Sequence, residues 1–150
     1  MVRLNMGCGA RKFEGFCNID KNPEVNPDML LDATKPLPFE ESSVECIFAM
    51  HFIEHFGDEL FQMLQDWYRV CKNGAIIHIE VPNAKDCPDY AMRDPGHKRF
   101  FVPESFRYFN CEDELWQDFG RYYGLPRLNL KSLELANGKH DIIVEFEVVK

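Results

Sequence analysis

Apolar residues fall in short blocks separated by polar, glycine- or proline-bearing breaks. "VRLNM" (2–6), "FCNID" (16–20), "DMLLDA" (28–33), "VECIFAM" (44–50) and "GAIIHIEVPN" (74–83) each have strand length; the first stops at a glycine turn, the second and third run to an acid, and the fifth is ended by Pro82. None alternates strictly, which predicts strands buried on both faces of a parallel sheet. Between the fourth and fifth, "DELFQMLQDWYRVC" (58–71) is apolar at 60, 61, 64, 67, 68, 70 and 71, a helical period, with Asp58 placed to cap it.

Beyond residue 83 the pattern changes. Residues 84–102 read as a loop. "PESFRYF" (103–109) and "EDELWQDFGRYYG" (112–124) read as helices, the second stopped near Gly124 and Pro126. "RLNLKSLEL" (127–135) and "HDIIVEFEVV" (140–149) alternate, and Asn137-Gly138 between them signals a hairpin. The expected class is therefore α/β: a mostly parallel sheet closed by a C-terminal antiparallel hairpin. The intervals after the first two strands are shorter than the dozen or so residues of an ordinary parallel crossover. The helices there are expected to be reduced to a turn or to bare loop.

Composition narrows the class of protein. At 150 residues, 45% of them hydrophobic, one domain over 1–150 is expected. No apolar run approaches a membrane span. The first residues lead straight into a glycine motif, leaving no room for a secretory leader, so a cytoplasmic location is expected. The six cysteines include no C-x-x-C pair and read as reduced, mostly buried thiols. A net charge of −8 argues against gripping a phosphate backbone. The basic run "RDPGHKRF" (93–100) reads as a solvated loop, with His97 at the surface.

The candidate chemistry lies at the strand ends. Gly7 and Gly9 in "NMGCG" permit a tight turn and close backbone approach. Asp20 ends the second strand, where an acid can accept hydrogen bonds from both hydroxyls of a ribose. Asp32 ends the third, where it can accept from an adenine amine. The third position of G-x-G-x-x-G is Lys12, and no P-loop occurs. The pocket thus looks built for an adenosine ligand without a phosphate chain.

"AMHFIEHF" (49–56) contains His51, Glu54 and His55 in H-x-x-E-H spacing, that of an inverted zinc-hydrolase motif. That reading needs a helix spanning the motif and a distant third ligand. The motif instead follows a strand and meets Gly57 at once, so no metal site is expected. His51 reads as a pocket-edge residue and His55 as a structural anchor.

"LNMGCG", "NIDK", "LLDATKPLPFEESSVECIFAMHFIEHF" and "WYRVCKNGAIIHIEVPN" together resemble the class I S-adenosylmethionine-dependent methyltransferases, and most closely their small type 11-like branch. The resemblance covers 2–83. It implies a Rossmann-like sheet with a cofactor-binding core over 2–83, a substrate or lid region over 84–125 and the hairpin over 127–149. It implies S-adenosyl-L-methionine as cofactor and S-adenosyl-L-homocysteine as product. Gly7, Cys8 and Gly9 would pass under the methionine part, with Asn5 where the family often has an acid. Asp20 would bind the ribose; Asp32 and Ala33 would lie against the adenine; Met50 and His51 would border the methionine and the reacting methyl. Arg11 stands where a third glycine is frequent.

Methyl transfer from a sulfonium is an in-line displacement that depends mainly on alignment. A hydroxyl or protonated amine acceptor would also need a base, for which His51 and His97 are the candidates. The Asn/Asp-Pro-Pro-aromatic signature of amide and adenine methylation is absent after the fourth strand. A small-molecule, sugar or lipid-like acceptor is therefore expected, with nucleic acid disfavoured and no membrane partner expected. Sparse helical cover of one sheet face points to a homodimer. Two alternatives stand: an inactive methyltransferase-like binding module, and a zinc hydrolase using His51, Glu54 and His55.

Overall fold

The computed structural model describes residues 1–150. Seven strands form one sheet in the order β3-β2-β1-β4-β5-β7-β6. They are β1 Val2–Met6, β2 Cys17–Asp20, β3 Met29–Leu30, β4 Val44–Met50, β5 Cys71–Pro82, β6 Leu128–Ala136 and β7 Asp141–Val148. The first five run parallel, and β7 pairs antiparallel with β5 and with β6. Strand order reverses between β1 and β4, so the carboxyl ends of those strands open the crevice in which α/β sheets bind ligands.

The crossovers are as short as the spacing predicts. Residues 7–16 contain only turns, and the link from β2 to β3 holds one 3-10 turn, Pro23–Val25. Side-chain hydrogen bonds replace the missing helices. Asn18 is buried, and its amide accepts from Phe13 N–H at 2.8 Å and donates to Phe13 O, Phe16 O and Asp28 Oδ2. Asn5 donates to Asn18 Oδ1 at 2.9 Å and to Arg11 O at 2.7 Å. Loop backbone that a helix would have satisfied internally is thus paired by two asparagines.

The helix α1, Glu59–Val70, buries Leu60, Met63, Leu64, Trp67 and Val70 against one face of the sheet. Asp58 precedes it, but its side chain makes no capping hydrogen bond. Chain continues from α1 directly into β5, which begins at Cys71 rather than near residue 74.

The expectation of strands buried on both faces is overturned. In β4, Ile47 and Ala49 are buried while Cys46, Phe48 and Met50 are half-buried. In β5, Ile77, Ile79 and Val81 are buried and Ile76, His78 and Glu80 are half-buried. The second face is roofed only by the β1–β2 loop, whose Phe13 and Phe16 meet Phe48 edge-on at 5.8 and 5.4 Å. His78 stacks on Phe48 at 4.4 Å between the carboxylates of Glu80 and Glu145. Charged pairs such as Arg3–Glu45 finish this face where helices would ordinarily lie.

In the region 84–125 the predicted loop carries an unpredicted short helix, and the two predicted helices form with altered pitch. The region holds a short helix α2, Pro88–Met92, a 3-10 segment Pro103–Phe109 and a π turn Trp116–Gly120. The reason is packing. A Cβ at Gly120 would stand 2.2 Å from Tyr108 O, and Trp116 Nε1 donates to Pro126 O, so this segment folds against its neighbours. Phe101, Phe106 and Phe109 join Phe146 of β7 in the core. The hairpin turn is Asn137–His140, with left-handed backbone at Asn137, Gly138 and Lys139.

Candidate functional site

A cleft of about 380 Å³ opens at the carboxyl ends of β1, β2 and β3, a size within the range of small-molecule sites. Gly7, Asp20, Asp32 and Ala33 line it, as the sequence predicts. Ile19, Leu31 and Met6 give it an apolar floor, and Phe52 and Phe56 wall it.

Asp20 is the best-prepared group. Its Oδ2 accepts from Gly9 N–H at 2.9 Å and its Oδ1 from Asn22 N–H at 2.9 Å. Each oxygen carries one backbone bond and keeps further acceptor capacity. Gly9 has φ +50°, and an added Cβ there would meet nothing within 4 Å, so the backbone beside Asp20 is uncrowded, although Gly9 itself does not line the cleft. Asp32 Oδ1 accepts from Thr34 N–H and Oγ1–H, which holds its carboxyl below the ordinary carboxylate range. Its Oδ2 remains available to a ligand amine.

Gly7 works differently. Its φ is +63°, and an added Cβ would lie 2.2 Å from the Phe52 ring. The room left by the missing side chain is filled by Phe52, which the sequence did not single out. Asn5 and Cys8 stand behind the cleft. The Asn5 amide N–H groups are taken by Asn18 Oδ1 and Arg11 O, so they hold the glycine turn, and Asn5 does not line the cleft. Cys8 is buried, its N–H donates to Ile19 O, and burial raises its thiol pKa.

Met50 and His51 depart from expectation. Met50 lies beside Glu80 on the open face of the sheet and does not line the cleft. His51 has left-handed backbone, φ +50°, which turns the chain out of β4. Its ring sits 3.6 Å from Glu54 Oε1 and 3.4 Å from Asp141 Oδ1, outside the cleft. The Glu54 carboxylate beside it, and Asp141 after it, raise its pKa against the opposing effect of burial.

The zinc-hydrolase arrangement does not form. Ile53–His55 is a 3-10 turn preceded by the left-handed His51, so His51 and His55 share no helix face. His97 is brought in from the distant "DPGHKRF" loop instead. Its side chain is only 9% exposed and its Nε2 lies 3.8 Å from Glu54 Oε1. It is therefore not the surface histidine its loop suggests. His55 lines the cleft and meets His97 edge-on at 4.8 Å, so this corner adjoins the cleft directly.

Residues 13–79, a little under half of the chain, match the family model described as methyltransferase domain, and the fold is similar to that of solved methyltransferase structures. No curated protein matches the sequence. Among solved structures, the chain is similar to the complex between the Haloferax volcanii Trm112 methyltransferase activator and the putative methyltransferase, at TM-score 0.72 and 12% identity over 99% of this chain and 83% of that one. A SAM-dependent methyltransferase from Archaeoglobus fulgidus gives 0.71 and 19% over 97% and 85%. The 4+2 cyclase SpnF gives 0.67 and 14% over 99% and 75%. No helix is long and apolar enough to cross a membrane.

Proposed function

We propose that this chain binds S-adenosyl-L-methionine in the cleft beside Asp20 and transfers its methyl group to a small-molecule, sugar or lipid-like acceptor. The matched domain family and the fold imply this cofactor. The observation that carries the reading is Asp20: a carboxylate fixed by two backbone N–H groups, with spare acceptor capacity, next to uncrowded backbone at Gly9.

The residues present fit the group. Asp20 would accept from the ribose hydroxyls. Asp32 Oδ2 and the backbone around Ala33 would face the adenine, and Ile19, Leu31 and Met6 would exclude water from its faces. The bound cofactor supplies an electrophilic methyl on a sulfonium, with a neutral thioether as leaving group. The protein's task is then to hold donor and acceptor in line and to keep water out. Phe52 and Phe56, 4.8 Å apart, form an apolar wall suited to that exclusion.

The general-base roles expected for His51 and His97 do not enter the proposal. His51 is held between Glu54 and Asp141 away from the cleft, and Nε2 of His97 faces Glu54 in a buried corner.

Isothermal titration of the protein with S-adenosylmethionine and S-adenosylhomocysteine tests the reading. Saturable binding, weakened at least tenfold in Asp20→Ala, is expected, followed by methyl transfer in a screen of acceptors. Binding without transfer to any acceptor would favour a binding module. Absence of binding at millimolar ligand would overturn the reading.

A further inference from the structure

Glu54 presents a problem the proposed function leaves unanswered. Its side chain is 1% exposed, yet neither carboxylate oxygen has a hydrogen-bond partner. An unpaired buried carboxylate is costly unless something compensates it. His51 Nδ1, 3.6 Å from Oε1, is the nearest compensating group but stands beyond hydrogen-bond reach, and the neighbouring lysine and arginine are engaged elsewhere. The Lys98 ammonium lies 3.6 Å from Glu59, and the Arg99 guanidinium donates to Gly57 O.

What does face Glu54 is imidazole. Ligand atoms of Glu54, His55 and His97 all lie within 4.8 Å of one another. Two ligands at ~2.1 Å from one cation stand roughly 3–4 Å apart, depending on geometry. The cluster therefore needs small side-chain adjustments to close on an ion. Both histidines are oriented from behind. His97 Nδ1 is 2.7 Å from Ala91 O, and His55 Nδ1 is 3.3 Å from Gly96 O. A carbonyl only accepts, so each Nδ1 carries the proton and, in the neutral ring, each Nε2 keeps its lone pair. The loop is pinned to the motif through the backbone as well: Lys98 N–H and Arg99 N–H both donate to Glu54 O, at 2.8 and 3.1 Å.

We propose that Glu54, His55 and His97 bind one divalent first-row cation at the edge of the cleft, and that this cation takes an acceptor hydroxyl as a further ligand. Two imidazoles and a carboxylate are a donor set for such ions, and three protein ligands leave coordination positions open. The second half of the proposal rests on the methyl-transfer reading. A hydroxyl on the cation loses its proton more readily and passes it to solvent. The acceptor oxygen then forms the new C–O bond with its own electron pair as the methyl group's bond to sulfur breaks, leaving a neutral thioether. No side-chain base is required.

The test uses the whole chain, stripped with EDTA, and Co2+ as probe. One equivalent is expected to bind and give a visible absorption band. Glu54→Gln and His97→Gln should each weaken Co2+ binding at least tenfold, while His140→Gln, in the hairpin turn, should not. Circular dichroism of each variant separates loss of the site from loss of the fold. Should Glu54→Gln unfold, His97→Gln and His55→Gln carry the test. No binding at millimolar Co2+, or binding unchanged in the folded ligand variants, would overturn the site.

S-adenosylmethionine binding is measured separately, in EDTA. If it persists where Co2+ binding fails, the cation site falls and the methyltransferase reading stands. If Co2+ binds but S-adenosylmethionine does not, the reverse holds. Hydroxyl methylation at full rate in EDTA would overturn the acceptor's place on the cation.

Discussion

The Gly9 N–H donates to Asp20 Oδ2 at 2.9 Å, joining the turn after β1 to the end of β2. One bond thus sets both the shape of the glycine turn and the direction of the carboxylate proposed to hold the ribose. Replacing Asp20 by alanine is expected to weaken S-adenosylmethionine binding at least tenfold, about 1.4 kcal/mol or more, as for loss of a charge-assisted hydrogen bond. Titration calorimetry reads this directly. Unchanged affinity would reduce Asp20 to a turn residue.

Gly7→Ala is expected to destabilise the fold by about 2–4 kcal/mol. The new methyl group meets Phe52 at 2.2 Å on a backbone with φ +63°, so left-handed strain and overpacking combine. Phe52→Ala should recover the packing part only. Chemical denaturation of both single variants and the double variant measures the coupling. Simple additivity would show that Phe52 yields freely.

Asn18→Ala removes the side chain that pairs Phe13, Phe16 and Asp28. Several part-buried hydrogen bonds go at once, and a loss of roughly 3 kcal/mol is expected at neutral pH. A melting temperature lowered by only a degree or two would show that loop packing, not the asparagine, holds the short crossover.

Asp28 links that network to pH. Hydrogen bonds from the Asn18 backbone and side chain lower its pKa below 3.8 in the folded chain. Its contribution is therefore present above the unfolded value and lost as pH falls through the lower, folded one. Asp28→Asn should flatten the acid limb of the stability profile below about pH 4 and leave the neutral-to-alkaline limb unchanged. Urea titrations at several pH values check this; an unaltered acid limb would refute it.

Trp67 is fully buried in α1, and its indole N–H has no partner. Trp67→Ala should cost about 3–5 kcal/mol through the cavity it leaves. Trp67→Phe should cost much less, because it also removes an unpaired donor. Equal losses in the two variants would mean that shape, not the unpaired N–H, dominates there.

Much of the fold was readable because its signals are local. The blocks at 2–6 and 44–50, the α1 period, the hairpin and the shortened crossovers each follow from backbone preference or chain length. Burial was misread in β4 and β5. An Ile-Phe-Ala-Met or Ile-Ile-His-Ile run does not tell whether a neighbouring layer exists, and here the second layer is two phenylalanines from a loop. The helix expected at 112–124 forms over 114–120, but widened into a π turn at Trp116–Gly120, where close packing at Gly120 competes with its period.

In the cleft, Gly7, Asp20, Asp32 and Ala33 were legible because a strand's end fixes which way its last residues face. Phe52, which fills the space at Gly7, was not. Nor was the separation of Met50 and His51 from the cleft, which depends on left-handed backbone at His51. By itself the sequence determined a mostly parallel α/β sheet with an acid after β2 and another after β3, because short-range patterning and steric limits suffice for that. Only the tertiary structure decided that His97 meets Glu54 and His55 while His51 turns to Asp141. That pairing joins segments more than forty residues apart, and it is held by backbone hydrogen bonds from Lys98 and Arg99 to Glu54 O that no local pattern encodes.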